Sequence, residues 1–225
     1  MCGRFTLKTP AATIGSLFPE FDLLDLEPRF NIAPTQDVAC VRVGESGASE
    51  LAWLRWGLVP FWAKDLKIGA KMINARSETV DSKPSFRNAF KQRRCLVISD
   101  GYFEWKKMPD GKQPFYITAT ENSGAFCMAG LWELWTDKSN GQDIQTCTVL
   151  TTDANNSLGS IHDRMPVVIG QQDREFWLDN SFCDTTKLKS LLKPAAEDFF
   201  ESKPVDRIVN NARNDGPQCI QPVSQ

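Results

Sequence analysis

The sequence is short of the residues that would assign it quickly to a metal-binding or membrane class. It has one histidine and no two cysteines spaced as C-x-x-C, so no metal site is expected. It has no apolar run long enough to cross a membrane and no start typical of a signal peptide. We therefore expect no membrane partner and a cytoplasmic location, associated with the nucleoid if the source is bacterial.

An excess of positive charge is missing as well. The 26 lysines and arginines are outnumbered by 28 acidic residues, which gives a net charge of −2 and a pI of about 5.6. This excludes a protein coated in positive charge for bulk nucleic-acid binding. A local basic groove stays possible, so the positions of individual arginines matter more than their number.

What is present fits an ordinary globular chain. The 225 residues are 41% hydrophobic and 24% charged, with no low-complexity tract, repeat or linker. We expect one domain over residues 1–225 and a monomer. The number of cysteines, seven, is odd, so they cannot all pair within the chain. Five of them lie in apolar or mixed segments that are typical of strands, and these are interpreted as reduced core thiols.

Hydrophobic patterning predicts many strands and few helices. Strands are expected at "VACVRV", "ELAWLRWGLV", "CLVIS", "QPFYITA", "GAFCMAGLWELW" and "TCTVLTTD", and Asp100-Gly101 predicts a break. A helix is expected from Thr9 as N-cap to Pro19, and a short one in "SKPSFRNAFKQRR" with Phe86, Ala89 and Phe90 on one face. Together these predict an α+β fold with an antiparallel, barrel-like sheet and peripheral helices.

Polar residues next to turn signals and at the ends of predicted strands mark candidate sites. In "KMINARSETV", Asn74, Arg76 and Glu78 alternate, so a strand there directs all three to one face. Glu104 lies between two aromatics, and desolvation there raises a carboxyl pKa toward the range of a general acid. The sole histidine, His162, precedes an aspartate that can orient its ring. Taken singly, each feature also has an ordinary interpretation: a solvated strand face for Asn74, Arg76 and Glu78, an exposed glutamate for Glu104, and a structural histidine for His162.

Cys2 stands directly behind the initiator methionine. Removal of Met1 leaves a chain that starts with a free α-amine and a thiol two carbons apart. That 1,2-aminothiol exists nowhere else in a protein. The alternative interpretation is a small apolar residue near the core, which is the usual state of a free cysteine.

The motifs "MCGRF", "FNIAPT", "WGLVPFW", "INARSET", "DGYFEWKK", "IHDRMPV" and "IQPV" occur in this order from Cys2 to about Val223. In this set and spacing the sequence resembles the SOS response-associated peptidase (SRAP) family. The resemblance implies a DNA-damage response protein that captures abasic sites in single-stranded DNA through a covalent thiazolidine crosslink. It also implies crosslinking or lyase-type chemistry and no cofactor. The family name records an earlier proposal of a thiol autopeptidase.

The resemblance also assigns roles residue by residue. Cys2 matches the nucleophile, Asn74 a hydrogen-bonding group and Glu104 the proton-transfer group. His162 matches the histidine near the sugar oxygen, which is implicated in ring opening and in reversal of the adduct. The remaining matches face DNA: Arg4, Arg76 and Arg164 hold phosphates, and Pro34, Trp62 and Trp105 stack on or wedge against bases.

Two positions depart from the family pattern, and two other functions stay open. Phe61 precedes Trp62 where the family pattern also accepts a glycine and a second tryptophan, and Thr35 occupies a position where a glycine is common. A Cys2-dependent peptidase, exposed by autoproteolysis or by an aminopeptidase, uses the same Cys2, Glu104 and His162. A non-covalent reader of modified bases makes Cys2 dispensable. The arginines favour DNA over a peptide substrate.

Overall fold

Two sheets with short helices around them make up the molecule, which confirms the expected α+β class. The computed structural model describes residues 2–15, 17–19, 21, 26–120 and 124–223. Within these ranges no helix is both long and apolar enough to cross a lipid bilayer.

The first sheet has five strands, all paired antiparallel. Its central pairing sets Arg4 opposite Phe103 and Phe5 opposite Tyr102, so the start of the chain lies beside the "DGYFEW" strand. In sheet order the strands are β12 (Phe200–Pro204), β8 (Gly111–Ala119), β7 (Gly101–Met108), β1 (Arg4–Leu7) and β2 (Arg29–Ile32).

The second sheet is mixed. Most of its pairs are antiparallel as expected, but β10 pairs parallel with β4 and with a short extra strand, β5. In order the strands are β11 (Arg164–Pro166), β10 (Asp143–Asp153), β4 (Ser49–Trp56), β3 (Asp37–Val43), β6 (Arg94–Ser99) and β9 (Phe126–Thr136), with β5 (Asn74–Arg76) beside β10.

The helices are shorter than their sequence patterns predict. The first ends at Gly15 although the pattern runs to Pro19, and the second begins only at Arg87. Ala89 and Phe90 are buried as predicted, because they face the sheet. The α-helices are α1 (Ala11–Gly15), α2 (Arg87–Gln92), α3 (Asn156–Gly159), α4 (Arg174–Leu178) and α5 (Thr185–Ser190). Segments of 3₁₀ helix are Leu66–Lys71, Gln171–Asp173, Arg207–Asn210 and Pro217–Ile220.

Asp100 occupies the predicted strand break between β6 and β7. Its buried carboxylate accepts the backbone N–H groups of Lys8 and Thr9 at 2.5 Å each and the hydroxyl of Thr6. Three charge-assisted hydrogen bonds therefore fasten the end of β1 to the turn that starts β7. The break that the sequence predicts is also the connection that holds the two strands of the site together.

The seven cysteines are all free, and six of them are buried. Cys40, Cys95, Cys127 and Cys147 belong to the main hydrophobic core, whose members range along the chain from Cys2 to Phe200. Cys183 is exposed. The core positions expected for these cysteines are therefore confirmed.

Thr35 adopts a backbone conformation that β-branched residues rarely tolerate, with φ at +72°. Its N–H donates to the carbonyl of Trp56 at 2.8 Å, which holds the turn in this form. Such strain costs about 1–3 kcal/mol. We therefore expect Thr35→Gly to raise the free energy of unfolding by about 1 kcal/mol in urea titration, after the entropy that glycine gains in the unfolded chain.

Gly47 provides the opposite control for this prediction. It has φ at +80°, and a Cβ added there meets nothing within 4 Å. Gly47→Ala should lower the free energy of unfolding by about 1 kcal/mol, because the backbone conformation alone is unfavourable. A Thr35→Gly variant that is less stable than the parent chain contradicts the assignment of strain to Thr35.

Candidate active site

Cys2 lies buried two residues before the start of β1. Its carbonyl accepts a hydrogen bond of 2.8 Å from Nδ2 of Asn74, the first residue of β5. The Oδ1 atom of the same amide is buried and has no hydrogen-bond partner within the described residues. Asn74 therefore fixes the backbone of Cys2 and keeps one acceptor available beside it.

The thiol of Cys2 is held in its protonated form. Burial raises the pKa of this thiol far above its ordinary value, and the nearby charge of Glu104 raises it further. Its sulfur makes a long contact of 3.8 Å to the carbonyl oxygen of Arg4. A reaction at this sulfur therefore needs a group that accepts its proton.

The Glu104 carboxyl is a group near Cys2 that can accept a proton. It lies on β7 and is 3% exposed. Burial raises the pKa of its carboxyl to about 6, which is suited to proton transfer near neutral pH. The interpretation of Glu104 as an exposed surface glutamate is thus wrong for this fold.

His162 faces Glu104 from the loop between α3 and β11, with Nε2 3.9 Å from Oε2 of the carboxylate. The Arg164 N–H donates to Nδ1 at 3.0 Å, so the neutral ring carries its proton on Nε2. The exposed Asp163 carboxylate, 2.9 Å from Nδ1, favours the charged ring. Burial outweighs it and lowers the pKa of His162. The histidine is therefore neutral near pH 7 and directs a donor toward Glu104.

A cavity of about 350 Å³ adjoins His162. One side consists of Trp105, Lys106 and Lys107 from β7, and the other of residues 159–163. A second cavity, of about 380 Å³, is lined by residues such as Phe126 and Arg174 and includes none of the predicted site residues. Of the two cavities, the first therefore adjoins predicted site residues, namely Trp105 and His162.

The three predicted phosphate-binding arginines have different surroundings. Arg76 is exposed and makes no side-chain hydrogen bond or ion pair within the described part of the chain. Arg164 is 7% exposed and pairs with both carboxylate oxygens of Glu78, at 2.8 and 3.0 Å, and with Asp153 at 2.5 Å. Since its charge is already neutralised, Arg164 holds the His162 loop against β10, and its predicted phosphate contact requires an exchange of partners.

The Arg4 side chain is also held by partners within the protein, in the segment around Val209 and Asn210. Its guanidinium donates to Oδ1 of Asn31 at 3.1 Å and to the carbonyls of Val209 and Asn210 at 2.9 and 3.4 Å. Trp105 donates its indole N–H to Oδ1 of Asn210 at 2.7 Å. The segment around Val209 and Asn210 therefore connects the strand behind Cys2 with the aromatic residue at the cavity.

Of the three predicted stacking residues, one lies at the cavity next to His162 and two do not. Trp105 lines the cavity, whereas Pro34 is half-buried after β2 and Trp62 is 47% exposed next to Phe61 at 56%. Neither Pro34 nor Trp62 lines the cavity next to His162. Their roles stay predictions.

The sequence interpretation missed two features of the site. One is the C-terminal segment, whose signal is the polar run "NNARND" next to an apolar stretch. The other is Tyr102, which is fully buried on β7 while its hydroxyl has no hydrogen-bond partner among the residues that the structure describes. An unsatisfied buried hydroxyl costs about 1–3 kcal/mol. Its aromatic neighbours in "DGYFEW" suggested only core packing.

The fold and site together define an α+β protein with a cysteine at position 2 beside a buried acid, an amide and a histidine. The profile of the family described as "SOS response associated peptidase (SRAP)" matches residues 1–212. The chain belongs to this family.

Similar proteins cover from 80% to almost all of the chain. The abasic site processing protein YoqW of Bacillus subtilis (strain 168) is 40% identical over 225 residues, which is 98% of this chain and 99% of that protein. The abasic site processing protein HMCES of Gallus gallus is 34% identical over 201 residues, 80% of this chain and 59% of that protein. A crystal structure of a Bacteroides thetaiotaomicron protein shares the fold, with a TM-score of 0.85, 27% identity, and coverage of 99% and 100%.

Proposed function

We propose that this protein processes abasic sites in single-stranded DNA by forming a covalent crosslink through Cys2. The observation that carries the proposal is the position of Cys2 behind Met1, buried beside Glu104 and tied by its carbonyl to Asn74. The relatives named abasic site processing proteins support the same substrate.

The chemistry follows from the two groups of an N-terminal cysteine. The α-amine adds to the open-chain aldehyde of the abasic sugar, and loss of water gives an imine. The thiol then adds across the C=N bond, so that a C–S bond forms and the nitrogen takes up a proton. The five-membered thiazolidine that results persists, whereas an imine alone hydrolyses. With an ordinary pKa of about 7.7–8.0, the α-amine is partly neutral at pH 7.

The neighbouring residues divide the proton transfers. Glu104 accepts the proton of the thiol and delivers protons to the departing oxygen and to the ring nitrogen, because its pKa of about 6 suits both directions. His162 donates from Nε2 to the sugar oxygen and favours the open-chain aldehyde. Asn74 holds Cys2 in line with the incoming carbonyl, which lowers the entropic part of the barrier.

Arg76 is the arginine best suited to hold a phosphate. It is exposed, and it lies two residues after Asn74 on β5, so both side chains point to the same side. Lys106 and Lys107 add positive charge at the edge of the cavity. These local charges explain how a chain with net charge −2 can bind a DNA strand.

We expect Arg76→Ala to weaken binding and to reduce its salt dependence. Removal of one cation that neutralises a phosphate of single-stranded DNA lowers the slope of log K against log salt by roughly 0.7. Fluorescence anisotropy with an undamaged oligonucleotide at several salt concentrations measures this slope. Arg87→Ala, at an exposed position of α2, removes the same charge where no predicted site residue lies and should leave the slope unchanged. Equal slopes for Arg76→Ala and the parent chain contradict the proposed phosphate interaction.

The direct test compares three oligonucleotides of one sequence. One has an abasic site, one a tetrahydrofuran analogue without an aldehyde, and one no lesion. We expect a shift that resists denaturant with the abasic strand alone, and a product mass equal to protein plus DNA minus one water. Formation of the same adduct with the tetrahydrofuran strand, or of none with any strand, overturns the proposal.

A further inference from the structure

Tyr102 has a buried hydroxyl that the packing of the protein does not explain. Its ring packs edge-on against Phe200, with centroids 5.5 Å apart, and its backbone pairs with Phe5 and Ile117. A phenylalanine would make the same packing contacts. The oxygen is inaccessible to solvent and has no hydrogen-bond partner within the described ranges of the chain. Such a group in a native fold calls for a functional explanation.

The neighbours of Tyr102 are the reacting groups. Tyr102 lies two residues before Glu104 on β7, so both side chains leave the strand on the same face. Its partner Phe5 belongs to β1, the strand that follows Cys2. Burial raises the pKa of Tyr102, and the charges of Cys2 and Glu104 raise it further, so the phenol stays neutral and can only donate toward these two groups when they are charged.

We propose that the Tyr102 hydroxyl donates a hydrogen bond to the sulfur of Cys2 while the thiol gives up its proton. This inference rests on the proposed crosslinking function and concerns its second step. A thiolate in so buried a position is strongly disfavoured, and a fixed neutral donor compensates part of the hydration that the sulfur lacks. The hydroxyl thus gains its partner only during the reaction.

The proton and electron balance of this step needs no further reactant. The S–H proton passes to Glu104, and the electron pair left on sulfur forms the C–S bond at the imine carbon. The π electrons of C=N move to nitrogen, which receives a proton in return from Glu104. Tyr102 keeps its own proton throughout, because it only donates a hydrogen bond.

Tyr102→Phe tests the inference. We expect about tenfold slower ring closure, so that the imine, trapped with borohydride at early times, accumulates relative to the thiazolidine. We also expect a higher midpoint of urea unfolding, since an unsatisfied hydroxyl has been removed. The pH dependence of ring closure should move toward alkaline pH, because thiolate formation becomes harder. A role in packing alone would not change the ratio of imine to thiazolidine.

Tyr116→Phe is the matched control, since the chain has only two tyrosines. The Tyr116 hydroxyl lies 2.9 Å from Oγ1 of Thr6, so its loss should lower stability and leave the ratio unchanged. An unchanged ratio and rate in Tyr102→Phe, while the parent chain crosslinks, overturns this inference alone. Absence of any imine or thiazolidine from the parent chain overturns the proposed function instead.

Discussion

Cys2→Ala is expected to abolish the stable crosslink and to leave the fold intact. The α-amine remains in this variant, so a transient imine that borohydride can trap should still form. The ring cannot close, because no thiol is left beside the imine carbon. A denaturing gel with and without borohydride separates the two products, and heating before loading distinguishes a thiazolidine from an imine.

Cys183→Ala serves as the control for thiol loss in general. Cys183 is the exposed cysteine of the chain and the one most open to unspecific reaction, yet it should be dispensable. A heat-stable adduct formed by Cys2→Ala at the rate of the parent chain would falsify the thiazolidine mechanism. The first suspect would then be Lys106 or Lys107, which line the cavity and can form a simple imine.

The same reasoning applies to any extension of the N-terminus. An amide nitrogen shares its lone pair with the carbonyl and does not add to an aldehyde as an amine does. We therefore expect the active protein to begin at Cys2, with one methionine lost by intact mass. A chain that keeps Met1 by mass and still forms the stable adduct contradicts the assignment of the α-amine as nucleophile.

Glu104→Gln is expected to slow crosslinking by about 100-fold, the usual scale for one general acid–base group. The amide retains the shape of the carboxyl but neither accepts nor delivers the protons of the reaction. A quenched time course on denaturing gels gives the rate. Glu133→Gln is the control. Glu133, on β9, is also a buried carboxylate, and it pairs with Arg93 at 2.8 Å. That variant should change stability and leave crosslinking unaffected.

The dependence of the crosslinking rate on pH gives a second test of proton transfer by Glu104. Protonation of the α-amine should reduce the logarithm of the rate by about one per pH unit below its pKa of about 7.7–8.0. Below about pH 6 the protonation of Glu104 should steepen this slope to about two. Glu104→Gln should keep the slope of one throughout. A slope that steepens equally in both proteins shows that another group titrates near pH 6.

The raised pKa of Glu104 also makes the free energy of unfolding depend on pH. The folded chain binds this proton more tightly than the ordinary pKa of 4.5 implies, since the pKa is about 6. The contribution therefore favours folding at low pH and is lost as the pH rises from 4.5 through 6, by roughly 2 kcal/mol. Urea titrations of Glu104→Gln should lack this part of the pH dependence.

Local patterns in the sequence predict much of the fold. The strand break at Asp100-Gly101 and the buried face of Ala89 and Phe90 are found where turn chemistry and periodicity indicate them. Helix lengths were wrong, because tertiary packing decides how much of a weak helical pattern forms. The strand predicted through Glu78 ends at Arg76, and Glu78 turns away to pair with Arg164.

The candidate site depends on contacts between residues far apart in the chain. Asn74 reaches the carbonyl of Cys2 across 72 positions, and no periodicity predicts such a contact. The sequence also does not show which charged residues are buried. Arg164 resembles a surface cation in the sequence, but it is buried in the fold, where its charge requires carboxylate partners. Only the resemblance to a family brought these residues together before the fold was known.

Arg4 bonds to the carbonyls of Val209 and Asn210, so the strand that follows Cys2 is held by a segment about 205 positions further along the chain. During translation Arg4 emerges long before its partners, so the strand that follows Cys2 lacks this support until Asn210 has been synthesised. A prematurely terminated polypeptide lacks it altogether. The order of synthesis thus delays completion of the frame around Cys2, and chains that stop before Val209 carry the cysteine without this support.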